Sequence, residues 1–328
     1  MVVADRSWAI RPASTIRTVN RMIEVQELTK TYGATTALSG VSFTVRPGSV
    51  TGFLGPNGSG KSTTMRLILG LDRPTSGTAR VNGVAYRELG APFREVGALL
   101  DGRDVQGGRR AEDHLWALAR SNRIPRARVE DVLRRVGLSG VGRRRLGELS
   151  LGMSQRFGIA AALLGDPPVL LFDEPVNGLD TEGIRWVRGL MRDLADEGRT
   201  VLVSSHLMSE MELVADRLIV IGRGRLLADT SLADFVASGT SPEVRVRSAD
   251  PRRLSTVLER AGATVTTDAT GTSQVRGLNA SSIGDAALAS AISLHELTPV
   301  RSTLEDVYSA LVDDDLTYRT ADDLEPAR

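Results

Sequence analysis

The chain contains no cysteine. That excludes disulfides, thiolate zinc sites and a cysteine nucleophile, and it fits a reducing compartment. Lysine is almost missing too. Lys30 and Lys61 are the only two, and arginine supplies the rest of the 41 basic residues. An ammonium and a guanidinium are not interchangeable, so both lysine positions call for a chemical reading. Neither sign of charge dominates, because 41 basic residues face 40 acidic ones for a net charge of +1. Such a balance favours neither a strongly basic nucleic-acid binder nor an acidic disordered chain, and no nucleic-acid partner is expected. No run of about 18 apolar residues exists, so no membrane span is predicted and any membrane role must run through a partner. What remains is a chain of 328 residues with 41% hydrophobic and 25% charged residues. It can bury a sizeable core as one large or two modest domains.

Residues 1–21 show no period. Arg6, Arg11, Arg17 and Arg21 are spread through them, with no acidic residue after Asp5. They lack the apolar run and cleavage site of a secretory signal. The expectation is a disordered arm or a start placed too early, with Met22 as the alternative initiator. Residues 22–100 are strand-rich. Residues 41–45 alternate, 46–48 turn, and 50–54 read as a short buried strand. A helix over 61–70 should end at Gly70. Residues 105–148 form an arginine-rich, all-helical insert, with helices over 111–120 and from Pro125 to Val136. Its charge run reads as a solvated face. From 150 to 229 apolar runs at 169–172, 201–203 and 218–221 alternate with helical stretches, the pattern of a buried, largely parallel sheet.

Residues 238–242 read as a linker. Beyond it the order strand, helix, strand, strand, helix, strand predicts a small split βαβ domain. A closing helix over 304–312 and a frayed acidic tail over 313–328 follow. The expected organisation is a nucleotide-binding domain over 22–238, an accessory α+β domain over 242–312 and a flexible tail. No internal repeat is present.

Two stretches carry chemistry. Gly55-Pro56-Asn57-Gly58-Ser59-Gly60-Lys61-Ser62, with Thr63 behind it, matches G-x-x-x-x-G-K-[ST]. Glycines let the backbone bend so that N–H groups converge on phosphate oxygens, and the following helix turns its positive end to the same anion. Lys61 would reach the β and γ phosphates, and the Ser62 hydroxyl would ligate Mg²⁺. Average composition gives a chance match in about one chain per hundred of this length, and the strand before and helix after make chance less apt. Further on, the apolar run 169–172 ends in Asp173 and Glu174, at the carboxyl end of a strand where open α/β sheets bind ligands. Asp173 would hold Mg²⁺, and Glu174 would take a proton from an attacking water.

Between these motifs lies Leu149-Ser150-Leu151-Gly152-Met153-Ser154-Gln155. It resembles the signature motif of ATP-binding cassette (ABC) ATPases, written L-S-G-G-Q, with Leu151 in place of a glycine and the glutamine two places late. Ser150 and Gly152 would sit just before a helix over 153–164, a second anion site. The resemblance covers residues 22 to about 235 and implies more. Tyr32 matches the aromatic residue that stacks on adenine. Asn177-Gly178-Leu179-Asp180 resembles the D-loop at the dimer seam. His206, after Ser204-Ser205, matches the switch histidine at the γ-phosphate. His114 and His295 lack such context and read as structural. Asp101 stands where the family places a glutamine; it would bind Mg²⁺ or turn toward the partner.

The resemblance implies an α/β fold: a P-loop NTPase core of ABC type with an antiparallel β edge and a helical insert, plus the small C-terminal α+β domain. It implies a Mg²⁺-dependent ATPase in a homodimer that shares two ATP, with Ser150 and Gly152 serving the partner's nucleotide. The 174–180 run, the Leu-Gly-Met signature and Leu304-Glu305-Asp306-Val307 are similar to ATPase subunits of bacterial drug exporters of the bacitracin and daunorubicin type. That implies a separate polytopic permease, a peripheral place on the cytoplasmic face of the membrane, and export of a drug, antibiotic or lipid-like compound. The alternatives are a non-transport ABC ATPase and a regulatory nucleotide-binding module. The first usually has paired cassettes or long coiled-coil inserts, absent here; Glu174 and His206 argue against the second.

Overall fold

The structure, a computed structural model, describes residues 22–100, 107–239, 243–300 and 303–311. The expected arm over 1–21, the tail over 313–328 and Asp101 lie outside the described residues. Strands β1 (Ile23–Tyr32), β2 (Thr35–Val45) and β3 (Ser49–Leu54) lead to α1 (Lys61–Ile68) and β4 (Ser76–Val81). Then come α2 (Pro92–Glu95), β5 (Val96–Leu99), α3 (Ala111–Ser121), α4 (Ala127–Arg135) and α5 (Leu151–Leu163). β6 (Val169–Asp173), α6 (Thr181–Asp196), β7 (Thr200–Ser205), α7 (Met208–Val214), β8 (Arg217–Gly222), β9 (Arg225–Ser231) and α8 (Leu232–Ser238) follow. The last part holds β10 (Glu243–Ser248), α9 (Pro251–Arg260), β11 (Thr264–Thr267), β12 (Thr272–Arg276), α10 (Ala280–Ala289) and β13 (Leu294–Val300). Residues 304–311 are helical and close the described chain.

The described residues fall into two compact units. The first combines the stretch up to Ser49 with Ser62–Leu202; the second combines Val50–Lys61 with everything from Val203 onward.

In the first unit an antiparallel sheet has the order β2-β1-β4, the expected antiparallel edge. Ile23 faces Val45 on one side and Val81 on the other, and all three side chains are fully buried. The β1–β4 ladder breaks its register between Gln26 and Thr29. There Glu27 takes φ +48, and a Cβ on Gly77 (φ +78) would collide with the Glu27 carbonyl, so only glycine fits. β5 and β6 pair in parallel, from Val96 opposite Val169 to Leu99 opposite Phe172. The insert helices bury single stripes: Ala111, Leu115 and Ala119 on α3, and Val129, Val132 and Leu133 on α4. That is helical spacing turned to a core. The insert arginines Arg109, Arg110, Arg134, Arg143, Arg144 and Arg145 are exposed, as a solvated face requires, whereas Arg135 is half-buried and pairs with Glu197 at 2.8 Å.

In the second unit β3 runs parallel to β8, and β9 adds antiparallel to β8. Both β3 and β8 are buried almost throughout, which is why they read as continuous apolar runs. Beyond residue 242 four strands form an antiparallel sheet in the order β11-β12-β10-β13. The split βαβ order is the expected one. Val244, Val246 and Val275 pack on Leu254 and Leu258 of α9 and on Ile283 and Ala287 of α10. Each buried aliphatic contributes about 1.5–3 kcal/mol, so this small core has its own reason to fold. The opposite sheet face carries Arg245, Arg247, Gln274 and Thr266 and is polar.

The closing helical stretch packs within this second unit. Leu304 is fully buried, and Val307 sits where a Cβ on Gly239, just after α8, would strike it. Thr303 and Asp306 cap the stretch reciprocally: the Thr303 N–H donates to Asp306 Oδ2 at 2.8 Å, and the Asp306 N–H donates to Thr303 Oγ1 at 3.2 Å. Among the described residues no helix is long and apolar enough to cross a membrane.

Candidate nucleotide site

The phosphate-loop sequence connects β3 to α1. Gly55 lies so close to the Ile221 carbonyl and the Ser59 hydroxyl that any Cβ would collide. Gly58 (φ +80) and Gly60 (φ +107) adopt backbone angles that side chains resist. The Lys61 side chain is buried, and its ammonium donates to the carbonyls of Gly55 at 2.6 Å and Pro56 at 3.2 Å. The loop thus holds its lysine with its own backbone. Ser59 Oγ is buried with no hydrogen-bond partner. An orphaned buried hydroxyl and a buried cation at the start of a helix fit a polyphosphate. Pro56, Asn57, Gly58 and Ser62 are exposed, Thr63 is half-buried and Gly60 is buried.

Asp173 is the last residue of β6 and is 8% exposed. The donor set of the Ser62 hydroxyl and the Asp173 carboxylate is all oxygen. Mg²⁺ takes one or two carboxylates plus phosphates rather than a dedicated protein cage. No group of three or more His, Asp or Glu side chains able to hold a metal occurs among the described residues.

Glu174 follows in a left-handed conformation, φ +49. For a non-glycine residue this is strained, and it persists where neighbours over-determine it. Two donors do so here. The side chain of Gln155, buried in α5, donates to the Glu174 carbonyl at 3.1 Å, and the Asn177 N–H donates to the same oxygen at 3.2 Å. The late glutamine of the signature is therefore bound to the backbone of the acidic motif.

Sequence spacing placed the start of the signature helix at Met153. The structure corrects this: α5 begins at Leu151. Ser150 Oγ accepts from the Met153 N–H at 3.2 Å, so the cap sits at Ser150 and Gly152 lies inside the first turn. A Cβ on Gly152 would come within 3.3 Å of Leu179 Cδ2 and 3.5 Å of the Gly178 carbonyl. Leu151 leans on Gly178 so closely that a Cβ there would collide with it. The signature turn and the 177–180 run of the same chain are thus in contact. Asp180 caps α6, accepting from the Gly183 N–H at 2.8 Å.

His206 directly follows β7 and is exposed. Ser205 Oγ accepts from the Leu207 N–H at 3.0 Å and fixes the turn that carries the histidine. Tyr32 ends β1 with 47% of its surface exposed. Its hydroxyl donates to Asp72 Oδ2 at 3.0 Å, and Arg66 forks onto the same carboxylate. Sequence reasoning missed Asp72, Arg66 and the placement of Gln155. The scarcity of lysine was the one available signal, because Lys30 lies 4.6 Å from the Tyr32 ring centroid.

Comparison with known proteins agrees with this fold. A family model described as "ABC transporter" matches residues 38–177, and one described as a domain of unknown function matches residues 242–305. The bacitracin transport ATP-binding protein BcrA of Enterococcus faecalis is 37% identical over 217 residues, 65% of this chain and 70% of the relative. The lantibiotic transport ATP-binding protein SrtF of Streptococcus pyogenes is 34% identical over 208 residues, 63% of this chain and 90% of the relative. Among solved structures, an ATP-binding subunit of an ABC transporter is similar at TM-score 0.61 with 28% identity, covering 66% of this chain and 92% of that one. A dimeric ATP-binding cassette in a post-hydrolysis state bound to ADP and Pi is similar at TM-score 0.59 with 26% identity, over 64% and 98%. The chain belongs to the ABC transporter ATP-binding family. It is the ATPase subunit of a transporter.

Proposed function

We propose that this subunit powers export of a drug, antibiotic or lipid-like compound through a separate polytopic membrane protein. The direction and cargo class rest on the bacitracin and lantibiotic transport relatives. The subunit would work as a homodimer in which Ser150 and Gly152 of one copy face the nucleotide of the other. In each copy Lys61 would bind the β and γ phosphates, with Gly55 to Gly60 and Thr63 lining the loop. Ser62 and Asp173 would hold Mg²⁺, which when bound neutralises charge on the phosphate oxygens. Glu174 would take the proton of the attacking water, and His206 would hold the γ-phosphate. Tyr32 would stack on the adenine, and Asp180 would lie at the seam between copies. The membrane partner would dock beside the insert. There, residues including Leu69, Leu71, Phe93, Leu100 and Leu118 line an apolar concavity of about 450 Å³ in the first unit. Asp101 would act as a sensor between partner and nucleotide. The protein would sit on the cytoplasmic face of the membrane.

The observation that carries this reading is the buried Lys61 ammonium held by the Gly55 and Pro56 carbonyls at the start of α1. Its test is Lys61→Ala in a steady-state ATPase assay. Affinity and turnover should both collapse, and near wild-type activity would remove the phosphate-loop assignment.

A further inference from the structure

Tyr32 sits in a brace built from the far end of α1. Leu71 donates its N–H to the Arg66 carbonyl at 2.9 Å, and Gly70 (φ +62) turns the chain out of the helix. Asp72 is thereby set beside Arg66. The Arg66 Nε–H donates to Asp72 Oδ2 at 2.8 Å and its Nη2–H to Oδ1 at 3.4 Å. Hydrogen bonding from Arg66 holds the Asp72 carboxyl below the usual carboxylate range. Burial first, and the bond to Asp72 second, push the Tyr32 phenol up. At neutral pH the carboxylate can only accept, so the phenol is the donor in the 3.0 Å bond between them.

A second strut covers the ring. Lys30 Nζ lies 4.6 Å from the ring centroid and donates to the Arg73 carbonyl at 2.8 Å. A cation over a ring face is attracted by its quadrupole. Two further bonds stitch β1 to the same loop: Thr31 N–H to Thr75 Oγ1 at 3.0 Å, and Thr75 N–H to the Thr29 carbonyl at 2.8 Å. One face of the ring meets an ammonium and the hydroxyl is anchored, yet 47% of the residue remains exposed. The exposed surface is an aromatic platform on which a base can stack.

The geometry points to Asp72, clamped by Arg66, as a positioning residue that fixes the Tyr32 ring for stacking on the purine base of ATP. The inference rests on the reading of Tyr32 as the base-stacking residue. A ring already held loses less freedom when the base arrives, and freezing one such side chain is worth about two- to tenfold in affinity.

The experiment is steady-state ATP hydrolysis by the full chain carrying Tyr32→Phe, Asp72→Ala, both together, or Tyr32→Ala. Inhibition by inorganic tripolyphosphate, which has no base, is measured alongside. Tyr32→Phe and Asp72→Ala should each raise KM for ATP about two- to tenfold with kcat within about twofold. The double variant should be no worse than the larger single effect, since both remove one bond. Tripolyphosphate inhibition should stay at the wild-type level in all four. Wild-type KM in Tyr32→Phe and Asp72→Ala, with a raised KM in Tyr32→Ala, overturns the brace and leaves base stacking standing. Wild-type KM in Tyr32→Ala overturns the stacking reading itself. Equal loss of tripolyphosphate binding makes Asp72 a structural residue of the loop and overturns its positioning role. Tyr32→Phe keeps the test decisive if Asp72→Ala fails to fold.

Discussion

The side chain of Gln155 donates to the backbone carbonyl of Glu174 across 3.1 Å, joining the signature helix to the acidic end of β6. Gln155 is 6% exposed and makes this contact from the second turn of α5. Its partner is a residue in a left-handed conformation whose carboxylate is proposed to activate water.

Gln155→Met keeps the length of the side chain and removes the donor. One hydrogen bond is worth about 1 kcal/mol net, so the fold should survive with a small fall in Tm. Turnover should respond more, because a misplaced catalytic group costs up to about a hundredfold. The expectation is a kcat lowered about tenfold or more with little change in KM for ATP. Unchanged kcat in a well-folded variant would show that the bond does not position Glu174.

Much of the fold was legible in the sequence because it is local. The 55–62 run, the turn at Gly70 and the split βαβ order beyond residue 242 each follow from glycines and apolar period within a short window. What escaped is relational. Tyr32 and Asp72 are 40 residues apart, and no period links a strand end to the turn after a helix. The start of α5 was misplaced by two residues because the hydroxyl of Ser150 caps the helix earlier than the glycine spacing suggested. Short elements such as α7, α8 and β9 carry too few residues to show a period. Their packing, rather than their propensity, fixes them.

His114 gives a pH prediction. Its ring meets that of Phe157 edge to face at a centroid distance of 5.8 Å, and Nδ1 is buried without a partner. Burial first, and the nearby Arg109 second, hold its pKa below the ordinary value of 6.5. Above that value both folded and unfolded states carry a neutral ring, and His114 has no effect on pH dependence. As pH falls through the unfolded pKa, the unfolded chain binds a proton that the folded chain refuses, so stability is lost. Urea melts at pH 7.5 and 5.5 should show a larger loss in the wild type than in His114→Phe. Equal losses would mean that the ring is protonated in place.

The closing helix should be a stabilising element remote from the chemistry. Gly239 has φ −83, an ordinary angle, so its lack of a side chain answers to the packing of Val307 alone. Glu212 of α7 accepts from the Leu304 N–H at 3.5 Å and Leu304 is fully buried. Gly239→Val should lower Tm by several degrees while KM for ATP holds, and adding Val307→Ala should recover part of the loss. Truncation near Ser238 should likewise keep nucleotide binding while weakening assembly. A Gly239→Val protein that melts like the wild type would place this helix elsewhere in solution.

Glu174→Gln separates catalysis from binding. The amide keeps the shape of the carboxylate but cannot take a proton. The Gln155 and Asn177 bonds to the backbone carbonyl do not depend on the side chain and should remain. Lys61, Ser62 and Asp173 are untouched. General-base help is worth about a hundred- to ten-thousandfold, so hydrolysis should slow by at least that order. One negative charge fewer beside the γ-phosphate should leave ATP binding intact or strengthen it. If two copies share their nucleotides, the ATP-loaded pair should then accumulate, and light scattering should record an ATP-dependent dimer that the wild type forms only fleetingly. Adding Ser150→Arg should abolish that dimer, because the guanidinium fills the surface offered to the partner's phosphate and removes the cap on α5. Since loss of the cap alone could unsettle the helix, Ser150→Asn, which still caps, serves as the control. Wild-type hydrolysis by Glu174→Gln would exclude Glu174 as the base. A variant that binds ATP, stays slow and never dimerises even with its membrane partner would exclude the shared site.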